Sequence, residues 1–141
     1  EVASQHTDIE FVVVGKGEEF EHLKQNATKN VKLLGFVSDA KLKELYEKAS
    51  VFFLPSLTEG FGFVLLEAMQ AGCAIVSTVP MGYAGFTGNG KEFFRKSIQR
   101  LIFDKKLAER FGEINRANSK KYNWDDYSKK LNSILEALHR A

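Results

Sequence analysis

The sequence predicts one α/β domain built on a parallel, doubly wound sheet. Four short apolar runs, at 9–14, 31–34, 51–54 and 74–77, alternate with segments of helical pattern. The runs are almost continuously apolar rather than alternating, which suits strands buried on both faces. Three of them stop at a breaker: Gly15, Gly35 and Pro55.

Ile9–Val14, read IEFVVV, is the first strand. From Glu18 to Ala27, the residues Phe20, Leu23 and Ala27 fall at helical spacing with charges between them. Val31–Leu34 is the second strand. Ser38-Asp39 offers an N-cap, and Leu42, Leu45, Tyr46 and Ala49 form one face of the next helix. Val51–Leu54, VFFL, is the third strand. An apolar helix runs from about Gly62 to Ala71 and ends at Gly72, and Ala74–Ser77 is the fourth strand. After a glycine-rich stretch from Gly82 to Gly90, only helical patterns are expected. One carries Phe94, Ile98, Leu101 and Ile102 on a face, and a second carries Leu107, Phe111 and Ile114. A third carries Trp124, Tyr127, Leu131, Ile134, Leu135 and Leu138. Right-handed crossovers place the strand C-termini on one edge, where open α/β sheets bind ligands. The loops after Val14, Leu34, Leu54 and Val76 are therefore where chemistry is expected.

The chain has 141 residues, enough for a single core, with 44% hydrophobic and 27% charged residues. Its 20 basic and 18 acidic residues leave a formal charge of +2, too balanced for nucleic acid or an anionic membrane to be a main partner. The single cysteine, Cys73, excludes an internal disulfide and sits in the apolar context AGCAIV, as a small buried thiol would. No apolar run approaches the length of a membrane span, and EVASQHTD has no signal-peptide pattern. His6, His22 and His139 are scattered and are expected on the solvated surface.

The segment PSLTEGFGFVLLEAM, residues 55–69, is the richest in chemistry. Gly60 and Gly62 flank Phe61, so the backbone can approach a ligand or adopt positive φ. A helix starts immediately afterwards, and its first N–H groups suit an anion. Glu59 lies before that helix. Glu67 lies within it, with Val64, Leu65, Leu66, Ala68 and Met69 around it. A carboxylate in such a buried setting must be hydrogen-bonded, and vicinal sugar hydroxyls are suitable donors. On spacing alone a second reading stays open: Glu67 on the surface or ion-paired, and Glu59 merely favouring the helix dipole.

PSLTEGFGFVLLEAMQAG resembles the signature of the retaining GT-B glycosyltransferases that carry an E-x7-E motif (the glycosyl transferases group 1, or family 4-like, group), with Glu59 and Glu67 as its two glutamates. Val14-Gly15-Lys16-Gly17, the element from Val31 to Val37, the stretch from Leu45 to Ser56 and Tyr122-Asn123-Trp124 agree with that family. The likeness covers roughly residues 8–139 and is specific through 31–78. It implies a Rossmann-like, doubly wound parallel sheet with C-terminal packing helices, forming half of a GT-B architecture. Residues 1–141 would be a single C-terminal, donor-binding domain of a hexosyltransferase. The resemblance further implies that Glu67 accepts hydrogen bonds from the nucleotide ribose. Glu59 would contact the transferred hexose as the catalytic residue. Gly60, Phe61 and Gly62, with the N–H groups of Phe63 and Val64, would meet sugar hydroxyls or the diphosphate. Phe36 and Val37 would line the base pocket, and Gly15 and Gly17 would lie against the donor.

The same resemblance implies a nucleotide-sugar donor, UDP- or GDP-hexose, with no cofactor and no metal. It implies a cytoplasmic protein, an acceptor held by an N-terminal domain absent here, and membrane association only through absent parts. The family's first strand, with an Arg and a Lys that clamp the diphosphate, would precede Glu1. The connection near 78–92 is shorter than usual for the family, and little activity is expected from the chain alone. An isolated, non-catalytic nucleotide-binding or structural module is the alternative. Rival motifs are weaker. Gly15-Lys16-Gly17 has Phe20 where a dinucleotide fingerprint needs a third Gly, and Gly88-Asn89-Gly90-Lys91 lacks Walker spacing and reads as a turn. No Ser-His-Asp or Cys-His arrangement falls at one sheet edge, and no Asp ends the third strand as a phospho-acceptor would require.

Overall fold

The computed structural model describes residues 1–57, 59, 60, 62–123, 128, 129, 132, 133 and 136. The elements in order are α1 Val2–Gln5, β1 Phe11–Val14, α2 Phe20–Asn26, β2 Val31–Gly35, α3 Asp39–Lys48, β3 Val51–Leu54, α4 Phe63–Ala71, β4 Ala74–Ser77, β5 Gly85–Thr87, α5 Lys91–Phe103 and α6 Lys105–Ser119. The expected faces of Trp124, Tyr127, Leu131, Ile134, Leu135 and Leu138 lie outside the described residues. Ser128, Lys129, Asn132, Ser133 and Glu136 are helical and exposed.

All strand pairs are parallel, but they form two sheets rather than one. β1 pairs with β2, starting from Phe11 opposite Val31, and the register shifts after Val13. The other sheet has the order β3-β4-β5, with Val51 opposite Ala74 and Ile75 opposite Gly85. Burial on both faces, expected of every strand, holds in full for β4 alone among the described residues; β1 and β3 are only partly covered. Each has an edge without a strand neighbour.

β4 organises the core. Its side chains alternate between two clusters, as the strand period of two requires. Ile75, together with Cys73, packs on Leu65, Ala68 and Met69 of α4. Ala74 and Val76 pack on Ile98 and Leu101 of α5 and Ala108 of α6. Helices therefore cover both faces of β4. The Cys73 thiol is fully buried, and burial pushes its pKa up to about 11.

Sequence signals explain the helix ends. The Ser38 hydroxyl accepts from Lys41 N–H at 3.3 Å and caps α3. Gly72 closes α4 in the left-handed region at φ 84°. α4 and α6 meet at Gly112, where a Cβ would stand 2.1 Å from the Gly72 carbonyl oxygen. Leu107 and Phe111 of the expected α6 face pack on the core, but that contact widens the buried face and leaves Ile114 off it. The buried residues of α6 are Ala108, Gly112, Asn115 and Ser119, whereas Ile114 is 39% exposed. Close helix packing selects small side chains that an apolar-periodicity reading passes over.

Two further expectations are corrected. β5 lies inside the glycine-rich stretch expected to hold no strand. Gly85 suits it because a Cβ there would come within 1.9 Å of the Ile75 carbonyl oxygen. His6 is half-buried rather than solvated: its ring meets Phe103 edge-on at 5.4 Å, in a segment whose Ala3, His6 and Ile9 carbonyls all accept from the Asn30 amide at 2.9 Å. His22 is exposed as expected, and His139 lies outside the described residues. No helix among the described residues is long and apolar enough to cross a membrane.

Candidate functional site

The C-terminal ends of β3, β4 and β5 open onto a cavity of about 580 Å³. Ser56, Leu57 and Glu59 line it from the loop after β3. Thr78, Val79 and Pro80 come from the loop after β4, and Asn89 and Gly90 from the turn after β5. Parallel strands bring these loops together because every crossover returns to the same edge.

Hydrogen bonds fix the walls. The Thr78 hydroxyl donates to the Ser56 carbonyl and ties the first loop to the second. Ser77, fully buried at the end of β4, accepts from Val79 N–H through its hydroxyl at 3.0 Å, and its carbonyl accepts from Gly88 N–H at 3.1 Å. At the opposite, N-terminal ends of β4 and β5, α6 holds the backbone that leads into both strands. The buried Asn115 side chain accepts from Ala84 N–H at 2.5 Å and donates to the Ala84 carbonyl at 2.9 Å and the Cys73 carbonyl at 2.7 Å. Both of its amide N–H donors and one lone pair of its oxygen are thereby used on backbone.

Among the described lining residues Glu59 carries the charge, and Ser56, Thr78 and Asn89 add neutral polar groups. A carboxylate beside hydroxyls and an amide is complementary to a neutral polyol. With no cation among its described lining residues, that wall offers little to a phosphate.

A second, open cavity of about 340 Å³ lies between α3 and α4. Asp39, Leu42, Lys43, Tyr46 and Glu47 line it from α3; Glu67, Gln70 and Ala71 line it from α4. The helical period explains the position of Glu67. Leu65, Ala68 and Met69 turn into the core, while Phe63, Glu67 and Gln70 face outward and are exposed. The buried carboxylate expected from its apolar neighbours is thus corrected: Glu67 is exposed, beside the Tyr46 phenol. Burial, and then the Glu67 charge, push the Tyr46 pKa upward.

Residues 1–118 match the family of glycosyl transferases group 1. The chain belongs to that family. An uncharacterised glycosyltransferase of Methanocaldococcus jannaschii is 27% identical over 150 residues, covering 96% of this chain and 43% of that protein. The GPI3 subunit of phosphatidylinositol N-acetylglucosaminyltransferase from Saccharomyces cerevisiae is 28% identical over 148 residues, covering 94% of this chain and 33% of that protein. The chain thus spans less than half the length of these relatives. The pneumococcal O-GlcNAc transferase GtfA, solved with UDP and GlcNAc, superposes with a TM-score of 0.78 over 99% of this chain and 31% of its own, at 17% identity. That likeness is one of fold: parallel sheets with flanking helices in the Rossmann-like arrangement found in GT-B glycosyltransferases.

Within this group 1 chain the expected site residues fall into separate places. Glu59 lines the first cavity and Glu67 the second, so the two glutamates do not share one wall. Gly62 precedes α4 at φ 75°, the left-handed conformation its residue type was expected to permit, and Gly60 has no such φ. Phe63 is 56% exposed at the start of α4, followed by Val64, and Phe61 lies outside the described residues. Phe36 follows β2 and is 83% exposed, with Val37 beside it. Gly15 donates its N–H to the Gly35 carbonyl at 2.7 Å, so that amide closes the β1–β2 pair. Gly17 has open space where a side chain would be. Ser56, Thr78, Asn89 and Tyr46 were not singled out by sequence reasoning. Ser56 and Thr78 lie on loops marked as places for chemistry, but Asn89 reads as a plain turn residue and Tyr46 as a core face.

Proposed function

We propose that this chain is the C-terminal, donor-binding domain of a retaining glycosyltransferase of the E-x7-E group, which transfers a hexose from a nucleotide-sugar to an acceptor. The observation that carries the reading is the cavity at the β3–β5 edge with Glu59 in its wall, in a chain of the group 1 family. Glu59 contacts the hexose there, as the catalytic residue, with Thr78 and Asn89 as neighbouring hydroxyl partners. Glu67 accepts the ribose hydroxyls from the groove beside α3. Phe36 and Val37 flank the base. Gly15, Gly17, Gly60, Phe61, Gly62, Phe63 and Val64 supply backbone near the diphosphate and sugar. The donor is a UDP- or GDP-hexose, the chemistry is metal-independent, and the acceptor is held outside this domain. The relatives' greater length supports that last assignment.

Calorimetric titration with UDP, GDP and ADP, then with the UDP- and GDP-hexoses, tests the reading. At least one nucleotide binds, and Glu67→Ala weakens it by about tenfold or more, the loss of a charge-assisted hydrogen bond. Glu59→Gln weakens the nucleotide-hexose but not the bare nucleotide. Absence of binding to every nucleotide, or binding indifferent to both substitutions, refutes the assignment.

A further inference from the structure

The groove between α3 and α4 brings the Tyr46 hydroxyl and the Glu67 carboxylate together. The Tyr46 ring packs against the cluster of Leu65, Met69 and Cys73, and it tilts at 57° against Phe52 with centroids 5.6 Å apart. Its backbone is fixed as well: the Tyr46 carbonyl accepts from Ala49 N–H at 3.1 Å and from the Cys73 thiol at 3.5 Å. The ring therefore has little freedom, and its hydroxyl end reaches the groove. Glu67 is exposed on α4 and hydrogen-bonded to Tyr46 through its side chain; an unheld surface glutamate would have to give up its rotamer freedom to bind a ligand. The two side chains are close enough for the Glu67 charge to bear on the phenol, which stays protonated and so remains a donor.

The rest of the groove favours a neutral ligand there. Asp39, Glu47 and Glu67 face one cation, Lys43, and Lys43 is already near Glu47 at 3.9 Å. A phosphate would be repelled, whereas a polyol resting on Leu42 and Ala71 would not.

We infer that Tyr46 is a positioning residue for Glu67: its hydroxyl steadies the carboxylate in the groove so that it meets the vicinal hydroxyls of a nucleotide ribose. This rests on the proposed donor site, in which Glu67 takes those hydroxyls. The two readings separate in one experiment. UDP and GDP, and the 2′,3′-dideoxy form of each, are titrated into the wild-type chain, Glu67→Gln and Tyr46→Phe, with melting curves to check the fold. The wild-type chain prefers the ribose form, and Glu67→Gln abolishes the preference. Tyr46→Phe keeps the ring and lowers the preference about three- to tenfold, the worth of one hydrogen bond, with affinity for the dideoxy form unchanged. Equal weakening of both forms makes Tyr46 a packing residue only and overturns the inference. An unchanged preference in Tyr46→Phe overturns it too, leaving the donor site standing. A wild-type chain that binds neither form, or binds both alike, removes the ribose role of Glu67 and the inference with it.

Discussion

Asn115→Leu removes the hydrogen bonds that join α6 to the loop between β4 and β5, and the cost follows from the geometry. The side chain is fully buried and makes three bonds: 2.5 Å from Ala84 N–H, 2.9 Å to the Ala84 carbonyl and 2.7 Å to the Cys73 carbonyl. Each bond contributes about 1 kcal/mol net, and a buried backbone group left unpaired costs about 1–3 kcal/mol. Leucine fills the space, so water cannot easily replace the lost partners, and its apolar burial returns only about 2 kcal/mol. The net loss is about 3 kcal/mol. For a chain of this size that is a fall in melting temperature of roughly 10 °C. Urea unfolding followed by circular dichroism reads it directly. A loss below about 1 kcal/mol would show that the Cys73 and Ala84 backbone groups find other partners, and would refute the reasoning.

Gly112→Ala, which in an exposed helix would add up to about 1 kcal/mol of stability, is expected to destabilise by about 2 kcal/mol. The new Cβ meets the Gly72 carbonyl oxygen at 2.1 Å and must push α6 from α4; equal or greater stability in urea unfolding would overturn that contact. Stability should also fall at alkaline pH. The unfolded Cys73 thiol ionises near its ordinary value of 9.0, whereas the folded one does so at about 11. Between these values the folded state holds the extra proton, so its stability falls as pH rises, by about 2–3 kcal/mol in all. Cys73→Ala should flatten that slope in unfolding curves taken across pH 8–11, and an unchanged slope would assign it to other groups.

What the sequence made legible was what depends on local pattern. β4 is three apolar residues and a serine, buried on both faces, Gly72 is a left-handed cap, and Ser38 is an N-cap, each read from residue type and spacing. β5 was hidden because three residues, beginning with a glycine, show no period; pairing with β4 makes them a strand. The face of α6 was read only in part: Leu107 and Phe111 pack on the core, but the tightest contact is made by a residue with no side chain. For Glu67 the buried reading came from composition, and the surface reading left open beside it is the one the fold bears out. The neighbours of Glu67 are apolar, but the stripe of Phe63, Glu67 and Gln70 falls on the outer side of the helix. The loops of the first cavity followed from topology, yet Asn89 and Tyr46 gain their positions from partners distant in sequence.

The division into two sheets has a consequence for how the molecule opens. No ladder bond among the described residues joins the β1–β2 pair to β3–β5. The pair is held to the rest by side chains: Phe11 and Val51 meet in one cluster with α5, and Glu1–Lys91 at 2.7 Å and Gln5–Gln99 at 2.8 Å link α1 to the same helix. Amide hydrogen exchange should therefore run in two tiers, with Val12 and Val13 exchanging through a local opening that leaves Ile75 and Val76 protected. The first cavity belongs wholly to the slower tier. The groove holding Glu67 depends on α3, the segment through which the faster tier is joined to the slower.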